Sequence, residues 1–268
     1  MTTGLTTDQA TRYLERIGIT VPLFPTAESL AAIQWAHLQH VPFEALDISP
    51  LNARFSLDLH DIYRKVVDNR RGGFCFELNS LLAALLESLG YQIDRMSANF
   101  TDDPNSDHAP FDHMPLNVTV PGDGSRWFVD VAAGRQNPPR PVPLNGVTAD
   151  GQFRTRLENT TWHFEKLDLD ASWLPQLAWG TDVWQIADFQ KRCTYFQENA
   201  VSPFKMGPLV TKMTPEGRVT LSKRTLITTA NGVRTERALE SDAEIRNVLR
   251  DIFGITIDFT TWWEETTT

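Results

Sequence analysis

At 268 residues, 41% of them hydrophobic, the chain is long enough to bury a core as one large domain or as two to three small ones. A net charge of −9 speaks against a phosphate-backbone partner such as nucleic acid, and no apolar run approaches membrane-spanning length. The two cysteines, Cys75 and Cys193, suggest neither a disulfide framework nor a zinc site, so no metal is expected; the opening Met1-Thr2-Thr3-Gly4-Leu5 lacks a basic region and an apolar signal core, which predicts a cytoplasmic location.

The first ninety or so residues read as helices. Thr6-x-x-Gln9 has the form of a capping box, and Ala10, Tyr13, Leu14 and Ile17 make an apolar stripe that stops at Gly18. Thr26 opens a second helix, with Leu30, Ile33 and Leu38 on one face, until Val41-Pro42-Phe43-Glu44 breaks out of it. Asp58 starts a third, with Leu59, Ile62, Tyr63, Val66 and Val67 inward. A fourth follows Gly72-Gly73: Leu78, Leu81, Leu82, Leu85, Leu86 and Leu89 recur at three- and four-residue steps before Gly90. Short connections predict a compact bundle.

After Gly90 the period becomes strand-like. Residues 91–100 begin it, 101–112 form a polar loop, and 114–120 and 126–131 form a hairpin across Pro121-Gly122-Asp123-Gly124-Ser125. Pro138, Pro139, Pro141 and Pro143 mark a link. The aromatic-rich stretch 150–190 predicts a further sheet, starting near 152–157. Glu216-Gly217 and Asn231-Gly232 mark two more hairpins, Ser241-x-x-Glu244 caps a last helix, and 255–259 reads as one more strand.

Cys75 falls in the first turn of the leucine-rich helix. There unpaired amides and the helix dipole favour a thiolate, and the glycine pair lets backbone or substrate approach the sulfur. The alternative is a small buried cysteine filling a core gap. A cysteine nucleophile needs a base, and the base needs an orienting group. Among six histidines, His113 stands where the polar loop enters a strand, and Asp130 lies between Val129 and Val131 on the return strand. A carboxylate so placed is costly to bury unless it is paired. The hairpin sets Asp130 opposite Leu116, about three residues from His113, so a bulge or bend must bring the two together. Otherwise Asp130 bonds backbone amides and His113 caps a loop.

Arg71-Gly72-Gly73-Phe74-Cys75-Phe76-Glu77-Leu78-Asn79, with Val41-Pro42-Phe43-Glu44 before it and His113 and Trp127-Phe128-Val129-Asp130-Val131 after it, resembles the arylamine N-acetyltransferases. The resemblance extends to Ser202-Pro203-Phe204 and to Glu216-Gly217-Arg218-Val219-Thr220-Leu221, in matching order along nearly the full length. It implies an α+β multi-domain fold: an N-terminal helical bundle (1–90) carrying the nucleophile, a central β-barrel (91–190) carrying His and Asp, and a C-terminal α/β lid (191–268). It also implies a Cys75–His113–Asp130 triad. Acetyl-CoA or another acyl thioester is the implied co-substrate, passing near Gly134, with no permanently bound cofactor. The implied acceptor is an aryl amine or hydrazine, and Phe43, Tyr195 and Phe204 are candidates for an aromatic wall against it or for ordinary core packing. Three departures flank the expected cleft: Ala45 in place of Asn, Ala132-Ala133-Gly134 in place of Gly-Phe-Gly, and Asn199-Ala200-Val201-Ser202-Pro203-Phe204 in place of His-Pro-Asp-Ser-Pro-Phe. A small residue at 133 is expected to leave room beside the sulfur for a longer acyl chain. That keeps open an amide synthase that closes a macrolactam from a carrier-bound acyl chain, as ansamycin-pathway relatives do. A cysteine hydrolase or transglutaminase-like enzyme, with the same Cys, His, Asp order, is the reading from another class.

Overall fold

Local capping starts the N-terminal helices. The computed structural model describes residues 4–21, 23–101 and 109–263. α1 (Thr7–Arg16) opens on Thr6, whose hydroxyl accepts from the Gln9 amide while the Gln9 side chain accepts from the Thr6 amide. α2 (Ala27–His40) is capped by Thr26 and ends as Val41 turns extended ahead of Pro42. After β1 (Phe43–Glu44), the Asp58 carboxylate caps α3 (Leu59–Tyr63), which runs on as a π-helical turn over Arg64–Asp68. In α4 (Cys75–Ser88) the leucine spacing predicts a one-sided stripe, yet all residues 75–86 are buried. Ala83 and Ala84 let neighbours close over the faces that the leucines leave, so the helix is enclosed all round. Tyr13, Ile33, Ile62, Leu116 and Val129 share its core.

The strand expected over 91–100 is two strands, β2 (Gln92–Arg95) and β3 (Ala98–Phe100), in different sheets. β2 pairs with the hairpin β4 (Leu116–Thr119) and β5 (Arg126–Val129), and β5 with β6 (Val142–Pro143), all antiparallel. The proline-rich link thus supplies a strand, with Pro143 at the sheet edge where a missing N–H breaks no ladder. β3 pairs with β9 (Trp173–Trp179), which pairs with β8 (Thr161–Leu167), which pairs with β7 (Phe153–Glu158). A bridge between Ala98 and His113 joins the two sheets. Among the described residues these are two open four-stranded sheets around a core of Phe128, Phe164, Leu177 and Trp179, and no closed barrel is found. Of the polar loop expected over 101–112, residues 102–108 lie outside the described residues.

α5 (Gln190–Glu198) is a helix that the aromatic-rich sequence did not announce. Beyond it, β10 (Leu209–Thr214), β11 (Gly217–Ser222), β12 (Thr225–Ala230) and β13 (Val233–Ala238) form a meander that β1 completes, with Phe43 opposite Thr211. Asn231 and Gly232 both have positive φ, 50° and 79°, as a two-residue hairpin turn requires. α6 (Asp242–Val248), capped by Ser241, continues as a π-helical turn and stops at Gly254 in the left-handed region. The strand expected at 255–259 is absent. Ile255 and Phe259 are instead buried side chains of the core between α6 and the five-stranded sheet. Among the described residues no helix is long and apolar enough to cross a membrane.

Candidate active site

The sequence around Cys75 folds as it does because two backbone segments touch there. Glu44 N–H donates to the Gly73 carbonyl at 2.9 Å. A Cβ at Gly72 would overlap the Pro42 carbonyl oxygen, and one at Gly73 would come within 2.9 Å of Glu77 Oε2. Gly72 therefore makes room for the Pro42 backbone and the Glu44 side chain, and Gly73 for the Glu77 and Leu78 side chains of α4. Cys75 is the first residue of α4, behind Phe74, whose N–H donates to Glu77 Oε2 at 3.1 Å.

A buried charge cluster braces this turn. Lys65 Nζ lies 2.5 Å from Asp47 Oδ2 and 2.8 Å from Glu77 Oε2. Arg71 reaches Glu44 Oε1 at 2.7 Å and Asp47 Oδ1 at 2.9 Å. Burial works against the Lys65 ammonium, but Glu77, Glu44 and Asp47 outweigh it and raise its pKa. Three carboxylates face two cations, so one acid is in surplus. That acid is Glu77, pushed up to about 7 by burial against the pull of Lys65.

On the other side stand His113 and Asp130, both fully buried. The β4–β5 ladder pairs Leu116 with Val129, so Asp130 lies just beyond its last pair instead of opposite Leu116. The bend that joins the two residues is a change of sheet: Pro115 still accepts from Met96 N–H in the first sheet, and His113 exchanges both backbone hydrogen bonds with Ala98 of β3. His113 Nε2–H donates to Asp130 Oδ2 at 2.6 Å, while Asp130 Oδ1 accepts from Ala132 N–H at 2.8 Å. Both sequence alternatives for Asp130 are therefore partly right: it pairs with His113 and also bonds a backbone amide. Asn79, one turn along α4 from Cys75, clamps the corner. Its Nδ2 donates to Asp130 Oδ1 at 2.9 Å and to the Met114 carbonyl at 2.8 Å, and its Oδ1 accepts from Val131 N–H at 3.1 Å. His113 Nδ1 is buried with no hydrogen-bond partner among the described residues.

The thiol departs from the expectation for a helix start. Burial pushes the Cys75 pKa up, Asp112 and Asp130 push it further, and the Phe76 backbone N–H pulls the other way without prevailing. Desolvation of a sulfur anion outweighs one amide and the helix dipole, which favours the thiol.

Phe43, Tyr195 and Phe204 are half-buried and pack against the core that contains Cys75. Phe43 and Phe204 have ring centroids 6.3 Å apart, and Phe204 lies 6.2 Å from Phe74, the residue before the cysteine. Tyr195 contacts Phe196, which meets Phe204 at 5.1 Å. Gly134 has φ of 58° and open space where a side chain would project. Ala132 shares the core of Cys75, but Ala133 does not: it packs with Phe128, Trp162 and Trp179 in the core of the two four-stranded sheets. Ala133 thus lies in a different core from the one that holds Cys75.

Residues 26–262 match the model of a family described as N-acetyltransferase. A curated arylamine N-acetyltransferase of Mycolicibacterium smegmatis is 32% identical over 252 residues, which cover 91% of this chain and 90% of that protein. The chain belongs to the arylamine N-acetyltransferase family. Two solved structures of the family share the fold. The Mycobacterium marinum arylamine N-acetyltransferase in complex with CoA has a TM-score of 0.82 at 26% identity, covering 92% of each chain. The Bacillus cereus arylamine N-acetyltransferase with a Cys-His-Glu triad has a TM-score of 0.82 at 27% identity, covering 94% of this chain and all of the other.

Sequence reasoning on this arylamine N-acetyltransferase-family chain missed Asn79, Asp47 and Lys65. Asn79 stood inside the quoted motif, and a buried Asn on a leucine-rich helix was the available signal. Nothing in sequence links Lys65 to Glu77, because the contact depends on how the π-helical turn sets the lysine.

Proposed function

We propose that this chain moves an acyl group from a thioester to an aromatic amine through an acyl-cysteine on Cys75. The observation that carries the reading is the buried His113–Asp130 pair, 2.6 Å apart, held by Asn79 on the helix that begins with the cysteine. His113 offers one nitrogen to Asp130, and Nδ1 is left to take the proton of the resting thiol. The sulfur then attacks the thioester carbonyl, a new S–C bond forms, and amides at the start of α4 steady the oxyanion. The donor's C–S bond breaks and its thiolate leaves with the proton held by His113. An amine attacks the acyl-cysteine, and the imidazole takes its proton as the sulfur departs. Asp130 stabilises the imidazolium at each stage without itself being protonated. The Cys-His-Glu triad named for the Bacillus cereus relative supports a carboxylate in this third role.

Arylamines and hydrazines suit the second half because they are largely unprotonated at neutral pH, and Phe43, Phe204 and Tyr195 supply aromatic surface for them. Acetyl-CoA is the proposed donor, in line with the CoA complex of the Mycobacterium marinum relative, and Gly134 leaves open backbone beside the triad strand for its passage. The three-unit organisation fits this chemistry: 1–90 gives the nucleophile, 91–190 the His–Asp pair, and 191–268 the cover over the aromatic wall. Intact mass after incubation with acetyl-CoA tests the reading. One added acetyl group is expected on the parent protein and none on Cys75→Ala. Equal acetylation of both proteins would overturn the acyl-cysteine.

A further inference from the structure

The five-stranded sheet has two unlike faces. Val210, Val219 and Leu221 point into the core shared with α6. Pairing in register puts Phe43, Thr211 and Thr220 together on the other face, with Met213 and Arg218 opposite each other one pair further along it. This is the face of the aromatic wall: Phe43 lies against Phe204, and Phe43 and Met213 both pack on the core that contains Cys75. Arg218 is out of keeping with its neighbours. It is half-buried, yet among the described residues its guanidinium has one hydrogen bond, from Nη1 to Thr211 Oγ1 at 3.2 Å, and no ion pair. Elsewhere Arg71 meets Glu44 and Asp47, Arg224 meets Asp242, and Arg16 spans the carbonyls of His40, Val66 and Arg70. Burial lowers the Arg218 pKa to about 10, with no carboxylate to oppose it. A cation held partly out of water with most of its five donors unused costs stability, which points to a partner from outside the chain.

We propose that Arg218 is a specificity-determining residue that takes a carboxylate carried on the ring of the aromatic amine. The inference rests on the acyl-transfer reading above and names the acceptor class more narrowly. The guanidinium fork matches a carboxylate in geometry and in charge, one for one. Thr211 Oγ1, itself 2.8 Å from Thr220 Oγ1, anchors one corner of the fork and leaves the rest of its donors to a ligand. Thr211 is also the residue paired with Phe43, so the cation stands beside the strand pair that presents the aromatic wall. A ring lying on Phe43 can turn its substituent to Arg218 while its amine points to Cys75. The acyl donor is the weaker candidate for this cation. Its proposed route runs past Gly134, beside β5 in a different sheet, and several phosphates would need more than one guanidinium.

The test is steady-state acetylation, from acetyl-CoA, of 4-aminobenzoate and of its neutral isostere 4-aminobenzamide. The parent is expected to prefer the carboxylate in kcat/KM by about tenfold or more, chiefly through KM. Arg218→Gln is expected to abolish that preference, and Arg218→Lys, which keeps the charge and loses the fork, to keep part of it. Because the guanidinium has no carboxylate in the free protein, Arg218→Gln is expected to leave the thermal midpoint unchanged or higher. A lowered midpoint with both acceptors slowed alike would make Arg218 structural and overturn the proposal, as would a parent that does not distinguish the two acceptors. A second arm holds the acceptor at 4-aminobenzamide and compares acetyl-CoA with 4-nitrophenyl acetate, which carries no phosphate. A rise in KM for acetyl-CoA alone in Arg218→Gln would assign the guanidinium to the donor and overturn the acceptor site. Should Arg218→Gln fail to fold, the parent's preference and its partial loss in Arg218→Lys still decide it. Acetyl transfer by Cys75→Ala would overturn the acyl-cysteine reading on which the inference rests. An inactive Cys75→Ala beside an unchanged preference in Arg218→Gln would overturn the carboxylate site alone.

Discussion

Two polar clusters flank the first turn of α4, and they are built on opposite principles. The Glu44–Asp47–Lys65–Arg71–Glu77 cluster meets every carboxylate with a cation. The Asn79–His113–Asp130 cluster has one carboxylate, no permanent cation, and a ring nitrogen left over. In the first, direct ion pairs and backbone bonds from Phe74 and Leu46 lock the loop before the cysteine. In the second, hydrogen bonds to a single carboxylate fix the geometry and leave one ring nitrogen where the reaction needs it. The first cluster holds its groups in ion pairs that position the nucleophile; the second leaves a ring nitrogen to move its proton, and its geometry depends on the clamp around it.

The comparison breaks most sharply at Asp130. Asp130→Asn keeps an oxygen for Asn79 and Ala132 but loses the charge that stabilises an imidazolium, so kcat for arylamine acetylation is expected to fall by about 10⁴-fold with the thermal midpoint little changed. A variant that unfolds would make Asp130 chiefly structural, and one that stays active would give His113 another partner.

Lys65→Met should do the reverse. It removes the ammonium between Asp47 and Glu77 and leaves three buried carboxylates facing Arg71 alone, which should cost about 3–5 kcal/mol of stability in guanidinium unfolding. A loss under about 1 kcal/mol would mean that the cluster is better solvated than its burial implies.

Glu77→Gln sharpens the contrast through pH. Glu77 has a folded-state pKa of about 7 against an ordinary 4.5, so between these values the folded protein holds a proton that the unfolded chain has released. Its stability contribution is therefore complete below pH 4.5 and is lost as pH rises through 7, by up to about 3 kcal/mol. Unfolding free energies at pH 5 and pH 8 should differ less in Glu77→Gln than in the parent by that amount; equal slopes would assign the surplus proton elsewhere.

Whatever depends on neighbours within a few residues was legible in the sequence. Thr6, Thr26, Asp58 and Ser241 cap their helices, Asn231-Gly232 turns its hairpin, and Cys75 opens α4, because a cap or a two-residue turn is satisfied by the chain beside it. The family motif likewise singled out His113 and Asp130. What only the tertiary structure decided is what needs a distant partner. A strand needs one for its N–H and C=O groups, so 91–100 divides between two sheets, Pro143 becomes an edge, β1 joins a sheet whose next strand begins only at Leu209, and 255–259 stays irregular. The change of sheet at Pro115 sets His113 on Asp130, which the hairpin register by itself leaves apart. The protonation state of the cysteine was decided at the same level: the helix start that favours a thiolate is local, while the burial and the Asp112 and Asp130 charges that outweigh it are assembled only when the sheets and α5 close over α4.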